Sequence, residues 1–363
     1  MNSFFRPEVD ALAPYATGRP LEDLEAELGL DRIVKLAANE GPFPPFPSAV
    51  AAMEQAEGAL NRYPNGGAVR LHEAIAARHR VEVEEVCAGS GADGCIDMLS
   101  QAVLEPGDEI VCAWPSFPSY EIYAAKQGAV TRRVPLRDYR HDLDALAAAI
   151  GPRTKLVYVC NPNNPTGTMN DARELDAFLD AVPEGVLTVV DQAYFEYVEH
   201  RDYPDAIAEH VRAGRRVLVL RTFSKIYGLA GLRVGYAVGP FDVCAAMAKV
   251  RRPFDISTTA QVAALASLDD PYELDRRRLL NVHGLAELTE ILTRHGLEPI
   301  PGAVGNFVYV DLGEDAAQFF ERMLEQGILV RPLAAFGEPN AIRVSVGTHE
   351  EHSLLDQALA RLR

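Results

Sequence analysis

The chain is poor in sulfur and has no excess of positive charge. Its five cysteines in 363 residues (Cys87, Cys95, Cys112, Cys160 and Cys244) are odd in number, scattered, and never spaced Cys-x-x-Cys. That excludes a disulfide framework and a zinc ribbon, and fits a reducing, cytoplasmic setting. Lysine and arginine number 35 against 52 aspartates and glutamates, so a phosphate-tracking nucleic-acid surface is not expected, and cations that bind anything must be placed locally. No stretch approaches the roughly 18 unbroken apolar residues of a membrane helix, and Met1-Asn-Ser-Phe-Phe-Arg-Pro-Glu8 has no charged leader followed by an apolar core. Neither membrane nor secretion is expected. What is present is 48% apolar content, enough at this length for a large core and about two domains.

Read in order, the chain changes style twice. Residues 1–40 hold an acidic amphipathic segment (Pro20 to Leu28) and a short strand-like Ile33-Val-Lys-Leu-Ala37. In Asn39-Glu-Gly-Pro-Phe-Pro-Pro-Phe-Pro47, four prolines within six residues exclude helix and central strand. A helix begins at Ser48, and Asn61-Arg-Tyr-Pro-Asn-Gly-Gly67 supplies turn chemistry. From residue 86 to about 240, strands (Val86 to Ala88, Glu109 to Ala113, Lys155 to Val159, Leu187 to Val190, Val217 to Phe223) alternate with helices. That alternation predicts an α/β fold with a mostly parallel sheet flanked by helices. After Asp269-Asp270-Pro271 come a long helix to about His295, strands over 306–312 and 342–346, and further helices. The division expected is a large domain over 41–270, a smaller α+β domain over 271–363, and residues 1–40 packing with the small one.

Several strands are followed by residues suited to chemistry. Gly89-Ser-Gly-Ala-Asp-Gly94 satisfies G-x-G-x-x-G, which admits a dinucleotide site, a phosphate-binding turn or a plain glycine-rich turn. A dinucleotide site needs an acid at the end of the next strand, where Trp114-Pro115 stands instead. Phosphate binding by amides at a helix start survives. Asn161-Pro-Asn-Asn-Pro-Thr-Gly167 makes a tight turn able to aim one Asn amide at a ligand and admits a cis bond before Pro165. Asp191 ends a buried strand, where a carboxylate is costly without a cation or protonated nitrogen beside it, and Tyr194 follows three residues on. Lys225 follows the apolar run Val217 to Phe223. A lysine there loses solvation and becomes an amine nucleophile, the alternative being a solvated loop lysine.

Together these groups match what pyridoxal phosphate requires: a lysine for the aldehyde, a carboxylate for the ring nitrogen, donors for the ring oxygen and a phosphate cup. Asn161-Pro-Asn-Asn-Pro-Thr-Gly167, Asp191-Gln-Ala-Tyr194 and Ser224-Lys-Ile-Tyr-Gly-Leu-Ala-Gly-Leu-Arg-Val-Gly235, in this order, resemble the fold-type I pyridoxal-phosphate aminotransferases, most closely the histidinol-phosphate aminotransferases. The resemblance runs from Ala13-Pro-Tyr15 to Ile342-Arg-Val-Ser-Val-Gly-Thr348.

By that resemblance Lys225 bonds the cofactor aldehyde and moves the proton at the substrate α-carbon. Asp191 pairs with the ring nitrogen, Asn164 and Tyr194 hold the ring oxygen, and Phe117 stacks on the ring. The phosphate lies on the amides of Ala92 and Asp93, with Thr222, Ser224 and Arg233. Tyr63 arrives from a neighbouring subunit, implying a homodimer. Arg343 binds the substrate carboxylate, a solvated edge arginine being the alternative, while Arg331, Tyr15 and Asn39 line the pocket. The resemblance implies an amino donor and a 2-oxo acid as substrates, first L-histidinol phosphate with 2-oxoglutarate. Aromatic amino acids, or decarboxylation of threonine phosphate, are the alternatives on the same scaffold.

Two departures from the family pattern stand out: Gln192 where glutamate is usual, and Gly41 where the commoner motif is Asn-Glu-Asn-Pro. Both are expected near the pocket. Thr348-His-Glu-Glu-His352 imitates a zinc motif, but its histidines are three apart rather than four. No metal is expected, and Thr348 with Glu351 reads as a capping box.

Overall fold

The computed structural model describes residues 4–10, 12 and 19–362. Twelve strands are described: β1 (Val34–Lys35), β2 (Val86–Gly89), β3 (Glu109–Trp114), β4 (Val130–Pro135), β5 (Thr154–Cys160), β6 (Leu187–Asp191), β7 (Val217–Thr222), β8 (Gly235–Val238), β9 (Phe307–Asp311), β10 (Ile328–Leu329), β11 (Arg331–Leu333) and β12 (Glu338–Ser345). Seven of them form one sheet in the order β2-β8-β7-β6-β5-β3-β4. All its neighbouring pairs are parallel except those of β8, which is antiparallel to both β2 and β7. The expected α/β fold with a mostly parallel sheet is the observed one.

The continuous apolar runs follow from burial of both sheet faces. Side chains alternate across a strand, so Val157, Val159, Val190 and Val219 join one hydrophobic cluster. Leu156, Tyr158, Val189, Leu218 and Leu220 join the other. Helices Gly91–Val103, Ser119–Lys126, Ala172–Ala181 and Phe241–Val250 contribute Ile96, Leu99, Tyr120, Leu175, Phe178 and Met247 to these clusters. The first proline-rich element ends in a helix over Pro47–Ala56, one residue earlier than expected, with the proline in the first turn where its missing N–H costs nothing.

Two strands of the large sheet were not expected. β4 is an edge strand with Arg132 and Arg133 on it, so its apolar signal is weak. β8 is only four residues long and follows a turn rather than a helix. The cis peptide bonds precede Pro115 and Pro162, so the bond before Pro165, where the turn admits a cis bond, is trans.

Residues after the long helix Pro271–Arg294 build a three-stranded antiparallel sheet, β11-β12-β9. β1 pairs in parallel with β10. Val34 and Leu36 lie in one cluster with Leu288, Val308, Phe319, Val344 and Leu355. The segment ahead of the proline-rich stretch therefore packs on the C-terminal third. Thr348 accepts from the Glu351 amide, and Glu351 accepts in return from the Thr348 amide. This is the reciprocal cap read from the sequence. His352 is bonded to Glu287 (2.8 Å) and accepts from the Gly347 amide (2.9 Å), and no metal-ligating cluster occurs among the described residues.

Candidate active site

Parallel strands β5, β6 and β7 end together, and their carboxyl ends present Cys160, Asp191 and Thr222 with the loops that follow. In such sheets this edge is where ligands bind. Antiparallel β8 brings its first residue to the same edge, since Gly235 is in register with both Gly89 and Thr222. A side chain at Gly235 would put a Cβ 2.6 Å from the Ala92 nitrogen. The bare glycine thus lets the start of helix Gly91–Val103 approach the strand, and its first amides, Ala92 and Asp93 among them, have no partner within the helix. Beside them, Thr222 Oγ1 donates to Ser224 Oγ (3.0 Å) and Arg233 Nη1 to the same Ser224 oxygen (3.4 Å). Gly91, at φ +76°, would place a Cβ 2.8 Å from Arg233 Nη2. Amides, two hydroxyls and a guanidinium therefore converge around a cradle that any side chain at 91 would fill, a donor set suited to a phosphate.

Asp191 is buried, and burial pushes its carboxyl up to about 6. Two donors pull the other way: Tyr120 Oη to Oδ2 (2.7 Å) and the Ala193 amide to Oδ1 (3.0 Å). Lys225 is perturbed oppositely. Burial brings its amine down to about 8, with Arg343 adding to the fall. Its Nζ donates to the Ala38 carbonyl (3.3 Å) and lies 5.6 Å from the Tyr194 ring centre. Each of the two disfavours its own charged form, which is the signature of an acid and a base prepared for a partner that is not solvent.

Asn39, in the left-handed region at φ 53°, donates through Nδ2 to Tyr194 Oη (2.9 Å) and accepts from Ser345 Oγ (3.1 Å). Burial pushes the Tyr194 phenol up, so it stays a hydrogen-bonding hydroxyl. Arg343 is buried, so it is no solvated edge arginine. Its Nη1 donates to Asn164 Oδ1 and its Nη2 to the Ala37 carbonyl (2.8 Å), its Nε has no partner, and burial lowers it to about 10. Phe117 packs edge-on to Tyr120, ring centres 5.6 Å apart.

Two expected residues are exposed, and a third is not described. Arg331 is in register with Arg343 across β11 and β12 but is exposed at the rim. Tyr63 is 81% exposed and stacks on Phe254 with ring centres 4.4 Å apart. Tyr15 lies outside the described residues. Of the departures, Gln192 points away from the pocket, its Oε1 accepting from Arg221 (2.9 Å) and its Nε2 donating to the Pro204 carbonyl (2.7 Å). It stands next to Asp191, but alternation along the chain turns its side chain to the face opposite Asp191. Gly41 does lie beside the lysine, and a Cβ there would stand 2.9 Å from the Lys225 carbonyl oxygen. Tyr120 was not singled out from the sequence. It stands in the first turn of the helix Ser119–Lys126, and no local pattern in the sequence marks it.

Residues 31–362 match the family described as aminotransferase class I and II. The chain belongs to the aminotransferase class I and II family. Among relatives of this aminotransferase, one from Moorella thermoacetica named histidinol-phosphate aminotransferase is 43% identical, over 98% of this chain and 92% of the relative. A Ralstonia nicotianae protein, histidinol-phosphate aminotransferase 2, is 43% identical over 99% of both. Among solved structures, histidinol-phosphate aminotransferase from Sinorhizobium meliloti in complex with pyridoxal-5'-phosphate superposes with TM-score 0.89 at 31% identity, covering 100% of this chain and 99% of that one. An aspartate aminotransferase mutant from Thermus thermophilus gives TM-score 0.86 at 26% identity, with the same coverage.

Proposed function

We propose that this aminotransferase uses pyridoxal 5'-phosphate to move the amino group of L-histidinol phosphate to 2-oxoglutarate. The observation that carries the cofactor is the buried pair of Asp191 and Lys225, at about 6 and about 8, beside the Gly91 cradle with its unpartnered amides. The substrate rests on the names of relatives at about 43% identity over nearly the whole chain.

When bound, the pyridine ring supplies an electron sink for the bonds of the substrate α-carbon. The residues of the chain do the rest. Asp191, ionised and bonded by Tyr120, would hold a proton on the ring nitrogen; Asn164 and Tyr194 would hold the ring oxygen, and Phe117 would cover the ring. Ala92 and Asp93 amides, Thr222, Ser224 and Arg233 hold the phosphate. Lys225 Nζ, its charged form weakened by burial, would be the amine that holds the cofactor's aldehyde end and, as a neutral base, would take the proton from the substrate α-carbon. Arg343 turns its fork from Asn164 and Ala37 toward a substrate carboxylate, with Arg331, Tyr15 and Asn39 around the side chain. Tyr63 reaches the site of a second copy, consistent with an exposed ring already held by Phe254, and makes the active form a homodimer. The protein works in the cytoplasm, where its buried free cysteines stay reduced. It divides into the large domain over 41–270 and the small one over 271–363, with residues 1–40 joined to the latter through β1.

The purified protein should be yellow, and Lys225→Ala should lose the visible band; a wild type that stays colourless after incubation with pyridoxal phosphate refutes the cofactor. Histidinol phosphate, phenylalanine and threonine phosphate, mixed separately with the enzyme, test the substrate by conversion to the pyridoxamine form. Faster conversion by phenylalanine, or release of carbon dioxide from threonine phosphate, overturns the assignment.

A further inference from the structure

Behind the sheet edge that carries the site runs one buried polar chain. It starts at Arg221, four residues before Lys225 and only 1% exposed. Arg221 and Thr222 are successive on β7, so their side chains take opposite faces. The Arg221 Nη2 donates to Gln192 Oε1 (2.9 Å) and Asp205 Oδ1 (3.1 Å), its guanidinium lies 3.3 Å over the Phe195 ring, and Nη1 is 3.9 Å from Glu196 Oε1. Gln192, next to Asp191, donates onward from Nε2 to Tyr203 Oη (3.2 Å) and the Pro204 carbonyl (2.7 Å). Tyr203 Oη donates to the Asn161 carbonyl (2.6 Å), at the start of the turn that carries Asn164.

At the ends of the three strands the backbone bonds are Asn161 N–H to the Asp191 carbonyl and Gln192 N–H to the Leu220 carbonyl, both 2.9 Å. Past them the polar chain continues the connection among loops that bear Asn164, Asp191 with Tyr194, and Lys225. Burying a guanidinium is costly, and well-packed apolar residues often replace such groups without loss of stability. Its retention points to a geometric rather than a stabilising use.

We infer that Arg221, Gln192 and Tyr203 are positioning residues that set Lys225, Asp191 and Asn164 relative to one another. The inference rests on the pyridoxal-phosphate reading above and assigns Gln192 its purpose. An amide accepts from Arg221 and donates to Tyr203 and Pro204 at once. A carboxylate, the usual family residue here, accepts only. In this chain Gln192→Glu would keep the Arg221 contact, leave the Pro204 carbonyl without its donor, and draw the Tyr203 proton away from the Asn161 carbonyl.

The test uses the holoenzyme: loss of visible absorbance on dilution gives the dissociation rate of pyridoxal phosphate in Gln192→Glu, Tyr203→Phe and the double variant. Glu109→Gln is the structural control. Glu109 is a buried carboxylate bonded to Arg132 and Arg153 at the other end of the sheet, so its loss weakens the fold far from the site. Each single variant should release cofactor about five- to tenfold faster, the scale of one hydrogen bond. The double should match the singles rather than their product, because both cut the same chain, and Glu109→Gln should release at the wild-type rate. Release within twofold of wild type in either single variant, a multiplicative double, or equal acceleration in the control overturns the inference. A wild type that never acquires the visible band overturns the cofactor reading and this inference with it.

Discussion

Replacing Tyr120 with phenylalanine removes one atom, the phenolic oxygen that donates to Asp191 Oδ2 at 2.7 Å. The ring keeps its stack on Tyr158, 4.2 Å between centres, so packing is nearly conserved. The Asp191 carboxyl already stands at about 6 because burial outweighs its two donors. A hydrogen bond to a charged group contributes ~1.5–3 kcal/mol, so its loss should favour the protonated carboxyl by a further factor of about 10 to 100. The sign follows: the ionised form is the one that pairs with a protonated ring nitrogen, and it is lost as pH falls through the folded value. In the wild type, cofactor affinity should therefore weaken below about pH 6. In Tyr120→Phe the weakening should begin at higher pH, leaving affinity near wild type only in alkaline buffer. The measurement is the dissociation constant of pyridoxal phosphate between pH 5.5 and 9, and since the ligand's own titrations are common to both proteins, the difference reports Asp191. Superimposable pH profiles would refute the coupling of Tyr120 to Asp191.

Three further outcomes can be checked together. Arg343→Ala should cut kcat/KM for glutamate by about 100-fold, the scale of a lost charge-assisted pair, and that for histidinol phosphate, which has no carboxylate, by much less; equal losses would deny Arg343 the carboxylate. Gly41→Ala forces a Cβ to within 2.9 Å of the Lys225 carbonyl oxygen and should cost ~1–3 kcal/mol in urea unfolding; an unchanged midpoint would mean that the loop yields freely. In the cofactor-free protein, Lys225 at about 8 against an ordinary 10.5 destabilises the native state below pH 8, a burden relieved as pH rises to 10.5. Lys225→Met should therefore be more stable than wild type by about 3 kcal/mol at pH 7 and equal to it above pH 10.5, by denaturant unfolding; a pH-independent difference would contradict the burial.

Much of the fold was legible because its determinants are local. Val217 to Leu220 is apolar at every position and Leu187 to Val190 at all but Thr188, a pattern that a strand covered on both faces requires. Lys225, Asp191 and Asn164 each lie within four residues of a strand end, so their shared edge followed from the alternation of elements. β8 was not legible, since four residues after a turn carry too little periodicity and its antiparallel entry depends on the gap between β2 and β7. Nor was Tyr120, whose role appears only when the end of β6 is set against the helix Ser119–Lys126.

The order and chemistry of the reactive groups were thus determined by the sequence alone, because a residue type and its place after a strand are properties of the chain. What those groups touch was decided by the tertiary structure. Arg343 meets Asn164 across 179 positions, Asn39 meets Tyr194 across 155, and Gln192 turns from the pocket to Arg221. Such contacts depend on which distant side chains fill the space between packed elements, and no local pattern carries that information.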